Sequence, residues 1–155
     1  MDFVEATADQ DDIIVRHYMA IWESYGTPPD QLQVDAEAIV RNFLVSGREE
    51  RSLASFIAFD GVVAAGSASC QLHSMPYPAV VKSERMLPGY IWAVYVAPQY
   101  RRQGISKTLT RMAVDHLRRA GCTDVVLHSS EAGEALYRGL GFKPASEMRL
   151  KFGDK

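Results

Sequence analysis

The sequence has little cysteine: Cys70 and Cys122 are the two thiols among 155 residues, and no C-x-x-C pair occurs. Thiols so far apart in sequence give no disulfide framework and suit a reducing compartment. An excess of charge is missing as well. Lys and Arg number 17 against 19 Asp and Glu, a formal net charge of −2, so no basic field draws the chain to nucleic acid. No apolar run approaches the roughly 18 residues that cross a bilayer. The N-terminus lacks the basic-then-apolar layout of a secretion signal. No repeat, low-complexity tract or linker divides the chain. The expectation is one domain over residues 1–155, cytoplasmic, with neither nucleic acid nor membrane as partner and 47% hydrophobic content to fill a core.

What the sequence does have is concentrated in Val94–Leu109, VYVAPQYRRQGISKTL. Ile91, Ala93 and Tyr95 on one parity and Trp92, Val94 and Val96 on the other are apolar, which predicts a strand buried on both faces. Pro98 ends it, since proline cannot donate to a sheet ladder. Arg101, Arg102, Gln103 and Gly104 follow, and then Ile105, Leu109, Met112, Ala113 and Leu117 repeat at helical spacing. A strand, a basic turn with glycine and a helix start gather free backbone N–H groups at one point, where the helix dipole and Arg101, Arg102 and Lys107 add positive potential. Such a point suits a phosphate or pyrophosphate. The dinucleotide signature G-x-G-x-x-G and the nucleoside-triphosphate signature G-x-x-x-x-G-K-[ST] are both absent here.

Arg101-x-x-Gly104-x-Ser106 after a strand ending in Val-x-Pro resembles the R/Q-x-x-G-x-G/A loop of the GNAT acyltransferase superfamily, with Ser106 standing where Gly or Ala is usual. A second resemblance lies in LHSSEAGEALYRGLGFKPASEMRL, where Leu136-Tyr137 and Gly141-Phe142 match the L-Y and G-F that commonly close such proteins. The resemblance covers Gly89 to Phe152 in detail and the first half by element order.

It implies an α/β (α+β layered) fold: a central mixed, mostly antiparallel sheet with one parallel pair and about four flanking helices. Helices are predicted after Asp9, Asp11 or Asp12, with Ile14, Tyr18, Ile21, Trp22 and Tyr25 on one face, and after Asp35, with Ala36, Ile39, Val40 and Phe43 inward and Gly47 as the stop. Asp60-Gly61 between strand-like runs predicts a hairpin. His73 to Gly89 is a proline-containing loop, and strand–helix–strand order around Ile105–Ala120 makes its flanking strands parallel. Glu131–Leu140 is a further helix. Phe142 to Phe152, where Met148, Leu150 and Phe152 alternate, reads as a last antiparallel strand.

The resemblance further implies an enzyme that moves an acetyl group from acetyl-CoA, with no metal, to a primary amine of a small molecule or peptide. Arg101, Arg102, Gln103, Gly104, Ile105, Ser106 and Lys107 hold the pyrophosphate, main-chain groups of Val94, Tyr95 and Val96 pair with the pantetheine arm, and Tyr137 protonates the leaving thiolate. Ser130 stands where many relatives carry an Asn that contacts pantetheine; its hydroxyl either does so or caps the helix. Trp22, Tyr25 and Phe43 are either acceptor-site walls or core. Relatives often form dimers, so a second copy of the chain joins the amine as a candidate partner. The general base is where the pattern stops: relatives place Glu where this chain has Tyr90 and Val125, and His128, His73, Glu23 and Glu84 stay open as relays. That gap motivates two other readings, a non-catalytic acyl-CoA-binding module and an interaction domain whose Arg-Arg turn meets an acidic partner.

Overall fold

A five-stranded sheet forms the centre of the computed structural model, which describes residues 1–152. The strands are β1 (Asp2–Glu5), β2 (Ala54–Asp60), β3 (Val63–Leu72), β4 (Pro88–Val96) and β5 (Asp124–Val126), and they lie side by side in chain order. All neighbours are antiparallel except β4 and β5, which are parallel. The helices are α1 (Asp11–Ser24), α2 (Ala36–Glu50), α3 (Ile105–Arg119) and the short α4 (Glu134–Gly139). The expected fold class therefore stands.

Each face of the sheet has its own core. On one, α3 lays Ile105, Leu109, Ala113 and Leu117 against Ala65, Ala68, Cys70 and Ile91. The small residues of β3 serve this contact, because Ala65 and Ala68 leave room for a helix to approach the sheet closely. On the other face, Ile14 and Val15 of α1 meet Val40 and Leu44 of α2 and Ile57 of β2. Asp11, expected as a cap, is instead 4% exposed and takes both terminal guanidinium nitrogens of Arg48, which ties the first turn of α1 to α2. Arg48 stays charged more firmly than usual because of that bond.

Four expectations need correction. First, α2 does not stop at Gly47; it runs on to Glu50, and Gly47 is buried against Leu53, whose Cδ1 would lie 2.5 Å from an added Cβ. Second, the buried face of α2 carries Val40, Leu44 and Gly47, while Ile39 and Phe43 are 43% and 41% exposed and border a cleft. Third, the hairpin turn is Gly61-Val62, with Asp60 and Val63 paired; Gly61 has φ 58°, as a glycine in the first central position of a tight hairpin requires. Fourth, Phe142–Phe152 forms no strand. Met148, Leu150 and Phe152 are 98%, 77% and 88% exposed, so alternation without a paired edge to bury one face leaves them in water. A groove of about 380 Å³ separates this segment from β5.

Candidate active site

β4 is the spine of the site. It pairs with β5 over three residues only, Pro88–Tyr90 with Asp124–Val126. Beyond Tyr90 the two strands part, so the β5-facing edge of Ile91–Val96 has no ladder partner. On its other edge, β4 holds a bulge: Ser67 pairs with Tyr95 and Ser69 with Trp92, so Ala93 and Val94 oppose Ala68 alone. Ala93 adopts φ 52°, a conformation costly to an L-residue and held by the surrounding packing. The free edge puts main-chain groups of Val94, Tyr95 and Val96 where an extended arm could add itself as a strand.

The loop after β4 leads to α3. Pro98–Tyr100 forms one tight turn, Arg102 has φ 63°, and Gly104, with φ 78°, is the residue before the helix. No side chain caps α3 and no acid lies in its first turn. The amides of Ile105, Ser106 and Lys107 are therefore without intrahelical partners. A Cβ built on Gly104 would meet nothing within 4 Å, so the space before these amides is open. Arg101 folds back, its Nε–H donating to Val96 O at 3.2 Å, and so braces the turn against the end of β4. Arg101, Arg102 and Lys107 take part in no ion pair among the described residues. Free amides, a positive helix end and unpaired cations together fit a diphosphate.

The parting strands open a cleft of about 210 Å³ bounded by Ala93 and Val94 of β4, Leu127, His128 and Ser130 after β5, Tyr137 of α4, Trp22 of α1 and Tyr25 just after it. Ser130 Oγ makes no capping bond; its main-chain carbonyl accepts from Gly133 instead. The hydroxyl is thus not spent on the helix. Tyr137 stands edge-on to Phe142, with ring centroids 5.9 Å apart. Burial, with the nearby Tyr25 phenol, pushes its pKa above the usual 10, so Tyr137 keeps its proton at neutral pH. A protonated phenol at the mouth of a small cleft can act as an acid.

A second cleft, about 350 Å³, adjoins the first through Trp92 and Tyr18 and is otherwise walled by Ile39, Val40, Phe43, Gln71 and Tyr90. Phe43 and Tyr18 each meet Trp92 edge-on, at 5.3 and 5.7 Å. Two polar atoms in these walls, Gln71 Oε1 and Trp92 Nε1, are buried without a hydrogen-bond partner. Trp22, Tyr25 and Phe43 are thus cleft walls rather than interior core. Tyr95 instead turns its ring onto His17, 4.7 Å away. Sequence reasoning missed Gln71, Tyr18 and Ile39, and no local motif marks them.

Among the open relays, Glu23 and Glu84 are exposed and border neither cleft. His73 stacks on Tyr90, with centroids 5.1 Å apart. His128 borders the smaller cleft, and its Nδ1 is 2.5 Å from Tyr90 Oη. No group of three or more metal-ligating side chains occurs among the described residues.

Comparison with known proteins identifies the family and the fold. The acetyltransferase (GNAT) family profile matches residues 14–142. An N-alpha-acetyltransferase 30 of Schizosaccharomyces pombe is 31% identical over 91 residues, which is 57% of this chain and 56% of that protein. A glucosamine 6-phosphate N-acetyltransferase of Trypanosoma brucei brucei is 36% identical over 86 residues, 55% of each chain. The chain thus spans little more than half the length of these relatives. A crystal structure of a predicted acetyltransferase from Clostridium acetobutylicum with acetyl-CoA superposes with a TM-score of 0.81 at 18% identity, covering 97% of this chain and 95% of that one. That likeness is one of fold.

Proposed function

Because the chain belongs to the GNAT acetyltransferase family, matched over residues 14–142, we propose that it transfers an acetyl group from acetyl-CoA to a primary amine held in the same complex. The observation that carries this reading is the continuity of the β4 edge. One strand leads from the uncapped amides of α3, past the unpaired groups of Val94–Val96, to the cleft under Tyr137.

Bound there, acetyl-CoA supplies an activated acyl group as a thioester. The chain does the rest. Amides of Ile105, Ser106 and Lys107, with Arg101, Arg102, Gln103 and Gly104 around them, hold the diphosphate by charge-assisted hydrogen bonds. Val94, Tyr95 and Val96 align the arm through main-chain bonds, and a main-chain N–H near the bulge polarises the acyl oxygen. The Ser130 hydroxyl is free to bond the arm. Tyr137 holds the proton that a departing thiolate needs.

The acceptor enters by the aromatic cleft. Its walls carry no Lys or Arg, so it offers no cation to a phosphorylated sugar. It offers instead the aromatic surface of Tyr18, Phe43, Tyr90 and Trp92. An amine on an apolar or peptide body matches this best. The direct test is thiol release from acetyl-CoA with a panel of alkylamines, arylamines, amino-sugar phosphates and short peptides. Turnover with apolar amines or peptides, and none with sugar phosphates, is expected. Thermal stabilisation by acetyl-CoA with no transfer to any member would instead establish a non-catalytic acyl-CoA-binding module.

A further inference from the structure

Tyr90, in the wall of the aromatic cleft, is joined by a hydrogen bond to His128 in the wall of the smaller one. From β4 its ring borders the aromatic cleft beside Trp92 and Phe43, while its hydroxyl reaches His128, which borders the cleft of Tyr137. His128 Nδ1 lies 2.5 Å from Tyr90 Oη, and His128 Nε2 lies 2.6 Å from Glu147 Oε2. Arg149 donates to the other Glu147 oxygen at 2.8 Å. The charged and titratable groups around this chain are His73, stacked on Tyr90; Tyr18 of α1, near Tyr90; Arg149; and, lining one groove with His128 and Glu147, Asp124, Glu134, Tyr137, Arg138 and Lys143.

The chemistry of the partners sets the order of protons. A carboxylate only accepts, so Nε2 carries the hydrogen that points at Glu147. The remaining lone pair is on Nδ1 and accepts from the Tyr90 hydroxyl. One vacancy for a proton therefore exists in the chain, on His128 Nδ1, and it is reached from the cleft through Tyr90 Oη.

We propose that Tyr90, His128 and Glu147 form the relay that removes the proton from the acceptor's ammonium group. The inference rests on the N-acetyltransferase reading above. The ammonium gives one proton to Tyr90 Oη as Tyr90 passes its own to His128 Nδ1. One N–H bond breaks on the acceptor and one forms on the imidazole; Tyr90 ends as it began, and no electrons leave either group. The amine is left with a free lone pair, and the imidazolium lies against the Glu147 carboxylate.

The reaction needs such a device. An unperturbed alkyl ammonium near pKa 10.4 is neutral in only about one molecule per thousand at pH 7, a handicap of roughly 4–5 kcal/mol. Tyr90 alone cannot remove it, since burial pushes its phenol up and it stays protonated. It can pass a proton but not keep one. Glu147 is held ionised, below the usual carboxylate range, chiefly by its bonds to His128 and Arg149, so it is present as the anion that stabilises imidazolium. His128 is 58% exposed, which suits the last requirement: each turnover must hand one proton to water. The carboxylate comes from neither strand position where relatives carry Glu. It comes from the segment after α4.

Two measurements test this on the full chain. Long-range ¹H–¹⁵N spectra should show His128 protonated at Nε2 and free at Nδ1 at neutral pH; the opposite tautomer overturns the relay. Kinetics then compare phenethylamine, an ammonium at pH 7, with phenylhydrazine, which is neutral there. Y90F and H128Q should each lower kcat/KM for phenethylamine by about a hundredfold and E147Q by about tenfold, the scale of general-base catalysis. With phenylhydrazine the losses in all three should be at least about tenfold smaller than with phenethylamine for Y90F and H128Q, and smaller also for E147Q, because its ammonium proton is already gone. Equal losses with both amines, or no loss with either, would overturn the relay and leave the transferase reading intact. If acetyl-CoA stabilises the wild-type chain yet neither amine releases thiol, the transferase reading falls and the relay with it. Retention of the acetyl-CoA thermal shift in each variant confirms that the fold is unchanged.

Discussion

His17 Nδ1 lies 2.9 Å from Ser67 Oγ, joining α1 to β3 beneath the ring of Tyr95 at the β4 bulge. The imidazole is 7% exposed. Burial, with the charge of Arg16, lowers its pKa from 6.5 to about 4, against an opposing hydrogen bond to Ala64. The unfolded chain therefore binds this proton at a higher pH than the native one does. Stability is unaffected by His17 above pH 6.5, falls as pH drops through the interval down to about 4, and levels off below it. The loss amounts to about 3 kcal/mol at most. Urea melts from pH 7 to pH 4 should show H17Q, which keeps a polar partner for Ser67 but cannot titrate, with a shallower pH slope than wild type. Parallel slopes would mean that His17 is protonated in the native state as readily as in the unfolded one.

Gly104 separates conformational from electrostatic effects. At φ 78° an alanine is strained by about 1–2 kcal/mol, although nothing in the protein touches its Cβ. Aspartate tolerates that conformation better and is favoured before a helix N-terminus, so G104D should cost little stability. It would, however, place a carboxylate among amides assigned to a diphosphate. Calorimetric titration should find acetyl-CoA bound at least about tenfold more weakly by G104D, while G104A loses stability more than affinity. Unchanged affinity in G104D would move the diphosphate elsewhere.

The same residue type misled at Gly47. A glycine near the end of a helical pattern is a stop signal, and that local reading placed the end of α2 there. Its actual determinant is Leu53, six residues on, whose Cδ1 and Cβ would lie 2.5 and 3.0 Å from an added Cβ. In an isolated helix, G47A would gain about 1 kcal/mol of propensity. Against a Leu53 that is 6% exposed, overpacking costs about 1–3 kcal/mol and outweighs the gain. Denaturant melts should therefore show G47A less stable than wild type. A stabilised G47A would show that Leu53 has room to turn away.

The proposed cofactor half of the site could be read from sequence because its parts are contiguous: β4, the Arg101–Ser106 turn and the start of α3 form one stretch, and their chemistry is that of the backbone. The aromatic cleft proposed for the acceptor could not. Tyr18, Phe43, Gln71, Tyr90 and Trp92 come from four elements, and their spacing carries no motif. His128 could be named as a relay but not chosen, since what distinguishes it is the bond to Glu147, 19 residues later, in a segment read as a strand. Alternation at Met148, Leu150 and Phe152 described a face that no neighbouring edge buries.

Tyr137 offers the last test. Its phenol is held protonated above the ordinary tyrosine range by burial and by Tyr25, and it borders the cleft between the parted strands. Phenylalanine keeps the ring, its contact with Phe142 and the packing over Gly133, and removes only the proton. Y137F should therefore bind acetyl-CoA as wild type does and lower kcat by about a hundredfold, the scale of one general acid. The fall should appear in kcat and kcat/KM alike, because the proton matters only as the thiolate leaves. The sign with pH follows from the raised pKa: wild-type activity should decline on the alkaline side, later than an ordinary tyrosine would dictate, and Y137F should lack that limb. Steady-state rates at saturating acetyl-CoA, paired with calorimetric affinity, decide it. A Y137F enzyme with full kcat would hand the acid role to solvent.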